Sequence, residues 1–285
     1  MNEFNFKQLL GKLDKIIIKS SIAVRVSDTQ KMFTPKAYIT GVSHNKDSDT
    51  LSVTEKEIEA ELIKVESAYT QEAVTDMFRL YKENLGDLLL YHLTDVLIYK
   101  LDNKFINMVD DRANIVSSYK PRKNDELLKV GQSLAIKINK GLSDLPISDN
   151  RSSKGWAIVS SDIASILAVT VKFDDTSMKD ESSSYLGRIA NVDYYIDFTH
   201  DNTNGNKVLF GIKGDGFSKG STINSSYTLE EVFTVNPSTG NNKLYIYYRG
   251  KQSINPLDDS YFNEHNKSAF LGKFDVDLSS LPIMT

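Results

Sequence analysis

Apolar positions recur along this chain with two different periods, and the switch between them divides it. Lys15-Ile16-Ile17-Ile18 and Ile22-Ala23-Val24-Arg25-Val26 are β-branched and partly alternating, which predicts an arm over residues 1–34 that ends in a short strand. Ala37-Tyr38-Ile39-Thr40 and Leu51-Ser52-Val53-Thr54 then flank a polar run from His44 to Asp49. They predict a long hairpin with a solvated tip, continuing through Ile58, Leu62 and Val65. Its apolar content is too thin for a core of its own, so it has to pack on something else. From Thr70 the period becomes helical. Thr70 suits an N-cap, Glu72 and Asp76 suit the helix dipole, and Val74, Met77, Phe78 and Tyr81 make an apolar stripe. After Asn84-Leu85-Gly86 a longer helix is predicted from Asp87 to Asp110, with Leu89, Leu93, Val96, Leu97, Leu101, Phe105 and Met108 on one face. At ~1.5 Å per residue it is a rod of roughly 35 Å. A third helical pattern covers Asn124 to Asn139 and contains the unfavourable Gly131.

Past the polar connection from Asp144 to Lys154 the pattern is mixed. Trp156 to Val159 reads as a buried strand, and Ser160-Ser161-Asp162 caps a short helix from Ile163 to Val169. Further strands are predicted at Asn191–Phe198, Val208–Ile212, Glu231–Val235 and Leu244–Tyr248, separated by Gly-, Asn- and Asp-rich turns. The class is therefore α+β. No internal repeat or low-complexity tract is visible.

Charge and composition narrow the chemistry. The 285 residues carry 34 Lys and Arg against 38 Asp and Glu, a net charge of −4. Non-specific DNA binding needs a positive field to displace counterions, and this chain lacks one overall. A container for DNA has no such need, since an acidic wall avoids sticking to its cargo. There are no cysteines, so disulfides, thiolate zinc sites and cysteine nucleophiles are excluded, and no cofactor is expected. No segment approaches the roughly 20 apolar residues that span a bilayer, and Met1 to Leu13 lacks the apolar stretch of a signal peptide. A soluble protein made in a reducing cytosol is expected, with no membrane partner.

Catalytic patterns are scarce. His44, His92, His200 and His265 form no zincin-type pair. Asp197-Phe198-Thr199-His200-Asp201 gathers possible ligands but reads as a strand running into a turn. Gly211-Ile212-Lys213-Gly214-Asp215-Gly216 lacks phosphate-loop spacing and reads as a strand exit. Basic, aromatic patches at Tyr119–Lys123 and Tyr245–Lys251 fit solvated loop and edge strand better than nucleic-acid contact. No catalytic or metal residue is assigned, and a non-enzymatic protein is expected.

The order of elements (arm, long hairpin, long helix, mixed half) resembles the HK97-type capsid fold of tailed phages. Local stretches are similar to the major capsid proteins of its T-even-like branch. Gly155 to Leu167 resembles the strand-then-helix opening of the axial domain. Tyr185-Leu186-Gly187 with Ile189 to Asp197 resembles a glycine turn followed by a strand ending in Asp. Val208 to Gly214 is similar to an apolar strand closing in Gly-x-Lys-Gly. Tyr248-Arg249-Gly250 with Asn255-Pro256 resembles late pieces of the family, Gln30 to Pro35 the turn before its extended loop, and Glu61 to Asp76 its run into the spine helix. The stretch Ser221 to Tyr227 departs from the family's aromatic-rich strand. The chain also looks short for the branch, without its insertion domain or long propeptide.

The resemblance implies an N-terminal arm at 1–34, an extended loop (E-loop) at 35–66 and a P-domain with the spine helix at 67–150. An A-domain at 151–250 and a return to the P-domain at 251–285 complete the layout. It implies a shell subunit assembling into hexameric and pentameric capsomers of an icosahedral head, formed in the host cytoplasm and resident in the virion. Such a head encloses double-stranded DNA without reading its sequence, alongside portal, scaffold and decoration proteins. The expected inter-subunit contacts are Ile16, Ile17 and Ile18 in the arm and Tyr38, Ile39, Leu51 and Val53 in the hairpin. Leu89, Leu93, Leu97 and Leu101 are expected in the chain's own core. Three alternatives stay open: a capsid vertex protein, an encapsulin-type compartment shell, and a monomeric α/β enzyme or binding domain centred on Asp197, His200 and Asp201.

Overall fold

The computed structural model describes residues 3–45, 50–82, 85–123, 125–145, 154–174, 184–198, 206–214, 220–236, 240–260 and 268–281. In chain order the elements are α1 (Glu3–Ser20), α2 (Ile22–Val26), β1 (Asp28–Thr29), β2 (Lys36–Asn45), β3 (Thr50–Glu59), β4 (Glu61–Tyr69), α3 (Gln71–Tyr81) and α4 (Leu85–Arg112). They continue with β5 (Ala113–Tyr119), α5 (Leu127–Ser143), β6 (Lys154–Ser160), α6 (Ser161–Thr170), β7 (Tyr185–Ile189) and β8 (Val192–Asp197). The last are β9 (Asn206–Lys213), β10 (Thr222–Val235), β11 (Asn242–Ile254), a 3-10 turn at Pro256–Ser260, and β12 (Ser268–Val276).

α4 joins the two halves of the molecule. Leu90, Leu93, Leu97 and Leu101 face a cluster completed by Leu13, Ile17, Val65, Leu244 and Ile246. Its last turns, through Phe105, Ile106 and Val109, face Ile22, Val26, Trp156, Leu209 and Leu271. Of the four leucines expected in the core, Leu93, Leu97 and Leu101 are fully buried and Leu89 is partly buried against the same cluster. At the helix end Asp110 receives the ammonium groups of Lys207 at 2.9 Å and Lys273 at 2.5 Å, tying α4 to β9 and β12. Burial alone would raise the Asp110 pKa; the hydrogen bonds from Lys273 and Lys207 outweigh it and hold the carboxyl below its ordinary value.

The arm departs from expectation, because Lys15–Ile18 and Ile22–Val26 are helical and not strand. β-branched residues cost a helix only a few tenths of a kcal/mol each relative to its best formers. Burying one aliphatic side chain gains roughly 1.5–3 kcal/mol. Leu13 and Ile17, one helical turn apart, are both sealed against α4, so tertiary burial overrides local preference.

Sheet membership also cuts across the expected boundaries. A four-stranded sheet runs β1-β10-β11-β4, a six-stranded sheet runs β5-β12-β9-β6-β8-β7, and β2 and β3 pair only with each other. β4 pairs with β11 in unbroken register from Glu61↔Gly250 to Tyr69↔Asn242, so the hairpin ends at Ala60 and not at 66. β10 and β11 belong with β4, outside the sheet that holds β6, β8 and β9, so the span 151–250 is divided between two sheets. Conversely α5 and β5, from before residue 150, build on the six-stranded sheet. α5 buries Val130, Leu134 and Ile138 in one cluster with Val159, Ile163, Val208 and Phe210. Gly131 is explained there: a Cβ at this position would lie 1.7 Å from the Thr170 hydroxyl oxygen, so α5 and α6 can approach only over a glycine. Among the described residues no helix is long and apolar enough to cross a membrane.

Candidate inter-subunit surface

The hairpin has two chemically distinct faces. In the β2–β3 register Ala37 opposes Ile58 and Ile39 opposes Lys56, whereas Tyr38 opposes Glu57 and Thr40 opposes Glu55. Side chains alternate between faces along a strand, so Ile39 and Ile58 share one face and Tyr38 and Val53 the other. The first face docks inward. Ile39 is 1% exposed and packs with Ile58, Met32 and Ile223. Gln30 grips the outer backbone of β2, donating from Nε2 to the Thr40 carbonyl (2.9 Å) and accepting from the Thr40 amide (3.1 Å). Gly41 allows the approach to the 3-10 turn: a Cβ there would meet Asn255 Oδ1 at 2.5 Å and Leu257 Cγ at 2.7 Å. The second face is open, with Tyr38 65% and Val53 59% exposed beside exposed Glu55, Glu57 and Glu59.

The expected contact residues therefore divide. Ile17 and Ile39 are consumed by the chain's own core, which leaves them almost no surface for a second copy. Their physical reason is parity: Ile17 lies on the α4-facing side of α1, and Ile39 on the inward face of β2. Ile16 is partly buried against the same cluster as Ile17. Ile18, at 51% exposure, joins Tyr38 and Val53 as accessible apolar positions. Leu51 pairs with His44 in the ladder, and its side chain lies outside the described residues.

The arm itself is fixed by a buried carboxylate. Asp102 of α4 accepts from the Ser21 hydroxyl at 2.6 Å, the Ala23 amide at 3.0 Å and the Ile22 amide at 3.1 Å. It thereby caps the first turn of α2, whose own N-cap Ser21 makes no side-chain cap bond. Burial pushes the Asp102 pKa up to about 6, against the three hydrogen bonds that favour the ionised form.

Other open apolar groups were not anticipated as contacts. Phe33 is 89% exposed beside the root of the hairpin. α3 is capped as expected, with Thr70 Oγ1 accepting from the Ala73 amide at 3.1 Å, yet none of its residues is buried. Phe78, Leu80 and Tyr81 stand open on it. The helical stripe of α3 was the available signal: an apolar face on a short helix needs a cover, and here the chain provides little.

Among the described residues no catalytic or metal constellation assembles. Groups able to hold a metal ion are absent among the described residues. Asp197 ends β8, and His200 and Asp201 lie outside the described residues, as do His265, Asp215 and Gly216. Gly214 follows β9 and donates its amide to Asp28 at 3.0 Å, the strand-exit geometry expected. Part of each basic patch is engaged internally: Lys120 pairs with Asp277 at 2.7 Å, Lys251 with Glu61, and Tyr245 stacks on Tyr247.

Comparison with known proteins agrees with this geometry. No curated protein sequence matches the chain. Among solved structures it is similar to the virus-like particle from Pyrococcus furiosus (TM-score 0.57, 10% identity, covering 94% of this chain and 98% of that one). It is also similar to Mycobacterium phage Bobi (TM-score 0.57, 9% identity, 90% and 91% covered). A third likeness is the holo-SrpI encapsulin complex from Synechococcus elongatus PCC 7942 (TM-score 0.56, 11% identity, 89% and 86% covered). At such identities these likenesses establish the HK97-like α+β capsid fold. The family follows from sequence, since the model for "Major capsid protein Gp23" matches residues 24–276, nearly the whole length. This chain belongs to the Gp23 major capsid protein family.

Proposed function

We propose that this major capsid shell protein builds the icosahedral head of a T-even-like tailed phage through hexameric and pentameric capsomers. In this reading the head encloses double-stranded DNA, engages portal, scaffold and decoration proteins, and forms in the host cytoplasm. The observation that carries the reading is the two-stranded hairpin, docked by one face at its base and open on the other. Two ten-residue strands cannot form an independent core. Covering the Tyr38–Val53 face with a neighbouring copy completes the burial that the chain leaves undone. Repeated heterologous contacts of this kind close into shells when symmetry permits. The role in this reading is structural, as membership of a capsid protein family suggests.

Electron microscopy of the purified chain tests the reading. Closed particles of uniform diameter are expected, and a field of monomers would overturn it. The compartment-shell alternative draws support from the likeness to the Synechococcus encapsulin. Particles isolated from the native source distinguish the two by content, DNA for the head and protein for the compartment. Fivefold-only placement in such particles would identify a vertex protein instead.

A further inference from the structure

A cavity of about 660 Å³ lies between the N-terminal helices and the two larger sheets. Its wall carries Lys19, Arg25, Lys31, Lys154, Arg188 and Lys213 against the carboxylates of Asp14 and Asp193. Six cations to two anions is the reverse of the balance of the whole chain, which is acidic. We propose that this cavity is a binding site for a phosphate-bearing ligand, with Arg25, Arg188 and Lys213 at its floor and Lys31 and Lys154 at its mouth.

The floor is built to hold like charges together. The Arg25 guanidinium lies over the rings of Tyr185 and Tyr195, 5.0 and 5.6 Å from their centroids, which fixes its plane. Arg188 makes a two-pronged bond to Asp193, Nε to Oδ1 at 2.7 Å and Nη2 to Oδ2 at 3.2 Å, which orients it in turn. Lys213 donates to the Arg25 backbone carbonyl, which fixes its ammonium at the cavity wall. Burial first, and then the neighbouring charges of Arg25 and Lys154, depress the Lys213 pKa, while Asp28 and Asp193 oppose them. Gathering cations in a partly desolvated concavity costs free energy that a bound anion returns, and such a wall focuses a positive potential into the cavity. Ile18 and Val24 add an apolar wall suited to the sugar or base that a phosphate carries.

The phosphate can come from a nucleic-acid strand or from a free nucleotide, and the test separates them. Fluorescence polarisation with a fluorescein-labelled oligothymidylate reads the strand, and competition by ATP or pyrophosphate reads the free ligand. Both arms use the purified full-length chain. With Lys31→Ala and Lys154→Ala combined, both exposed and expected to leave folding intact, affinity should fall by about tenfold or more. Lys123→Ala, a cation remote from the cavity wall, should change it less than about twofold. Displacement by pyrophosphate and by ATP supports a free-nucleotide site, and resistance to both with strand binding lost in the double variant supports a strand site. Equal loss in the double variant and in Lys123→Ala would show mere charge attraction and overturn the proposal. So would binding of a polyglutamate peptide with no response to any of the phosphates.

Discussion

Neutralising Asp102 should abolish the pH dependence that this buried carboxylate imposes on the subunit. Its pKa in the folded chain is about 6 and its ordinary value 3.8. The folded pKa lies above the unfolded one, so the protonated acid favours the fold. Its stabilising contribution is complete below the unfolded value and is lost as pH rises through 6. The full offset is about 3 kcal/mol, of which about 2 kcal/mol falls between pH 4.5 and 7.5. Asp102→Asn stays neutral throughout, and it keeps an oxygen for Ser21 and Ala23. Its amide cannot accept from Ile22, a loss of roughly 1–3 kcal/mol. Urea unfolding of unassembled subunits, wild type and variant side by side, isolates the effect because every other titrating group cancels in the difference. That difference should move in favour of the variant by about 2 kcal/mol as pH rises from 4.5 to 7.5. A difference constant to within about 0.5 kcal/mol would refute the reasoning, since it would mean that the carboxylate is not desolvated. Asp102→Ala, which strands three donors, should loosen α1 and α2 at every pH and expose residues 20–27 to protease.

Three further outcomes follow from the packing. Gly131→Ala should destabilise the subunit by about 1–3 kcal/mol in thermal melts despite alanine's higher helix propensity, because its methyl would strike Thr170; Thr170→Gly in the same chain should recover much of the loss. Leu97→Ala, at the fully buried centre of α4, should cost about 2–5 kcal/mol in urea unfolding. Asp110→Asn should cost roughly 1–3 kcal/mol at neutral pH through the loss of its lysine partners. Because that carboxyl is held below 3.8 in the fold, its contribution is present above that pH and disappears as pH falls through the folded value, so wild type and variant should converge in acid.

What could be read from residues alone was local and periodic. α4 was visible because apolar residues recur every three or four positions from Leu89 to Met108, about five turns, and α3 because Thr70 announces its cap. The strand at Trp156 and the helix after it were legible for the same reason. The arm was not, because three consecutive isoleucines look like strand until a neighbouring helix offers them burial. The pairing of β4 with β11 joins Tyr69 to Asn242, far apart in sequence, and no local signal encodes such a partner. In the hairpin, alternation marked two faces, but only Met32, Ile223 and Leu257 decide that the Ile39 face turns inward. That is why Tyr38 and Val53 remain contact candidates where Ile39 does not. Asp102 was hidden by composition, as one acidic residue among many on an otherwise solvated-looking turn.

The central claim is that the open face of the hairpin is finished by another copy of the chain. Sedimentation velocity on wild type and on Tyr38→Asp/Val53→Asp measures this most directly, with urea unfolding confirming that the exposed substitutions leave the subunit folded. Wild type should run as large closed particles, and the double variant as folded monomers or small capsomers. Closed particles of wild-type size from the double variant would contradict the account.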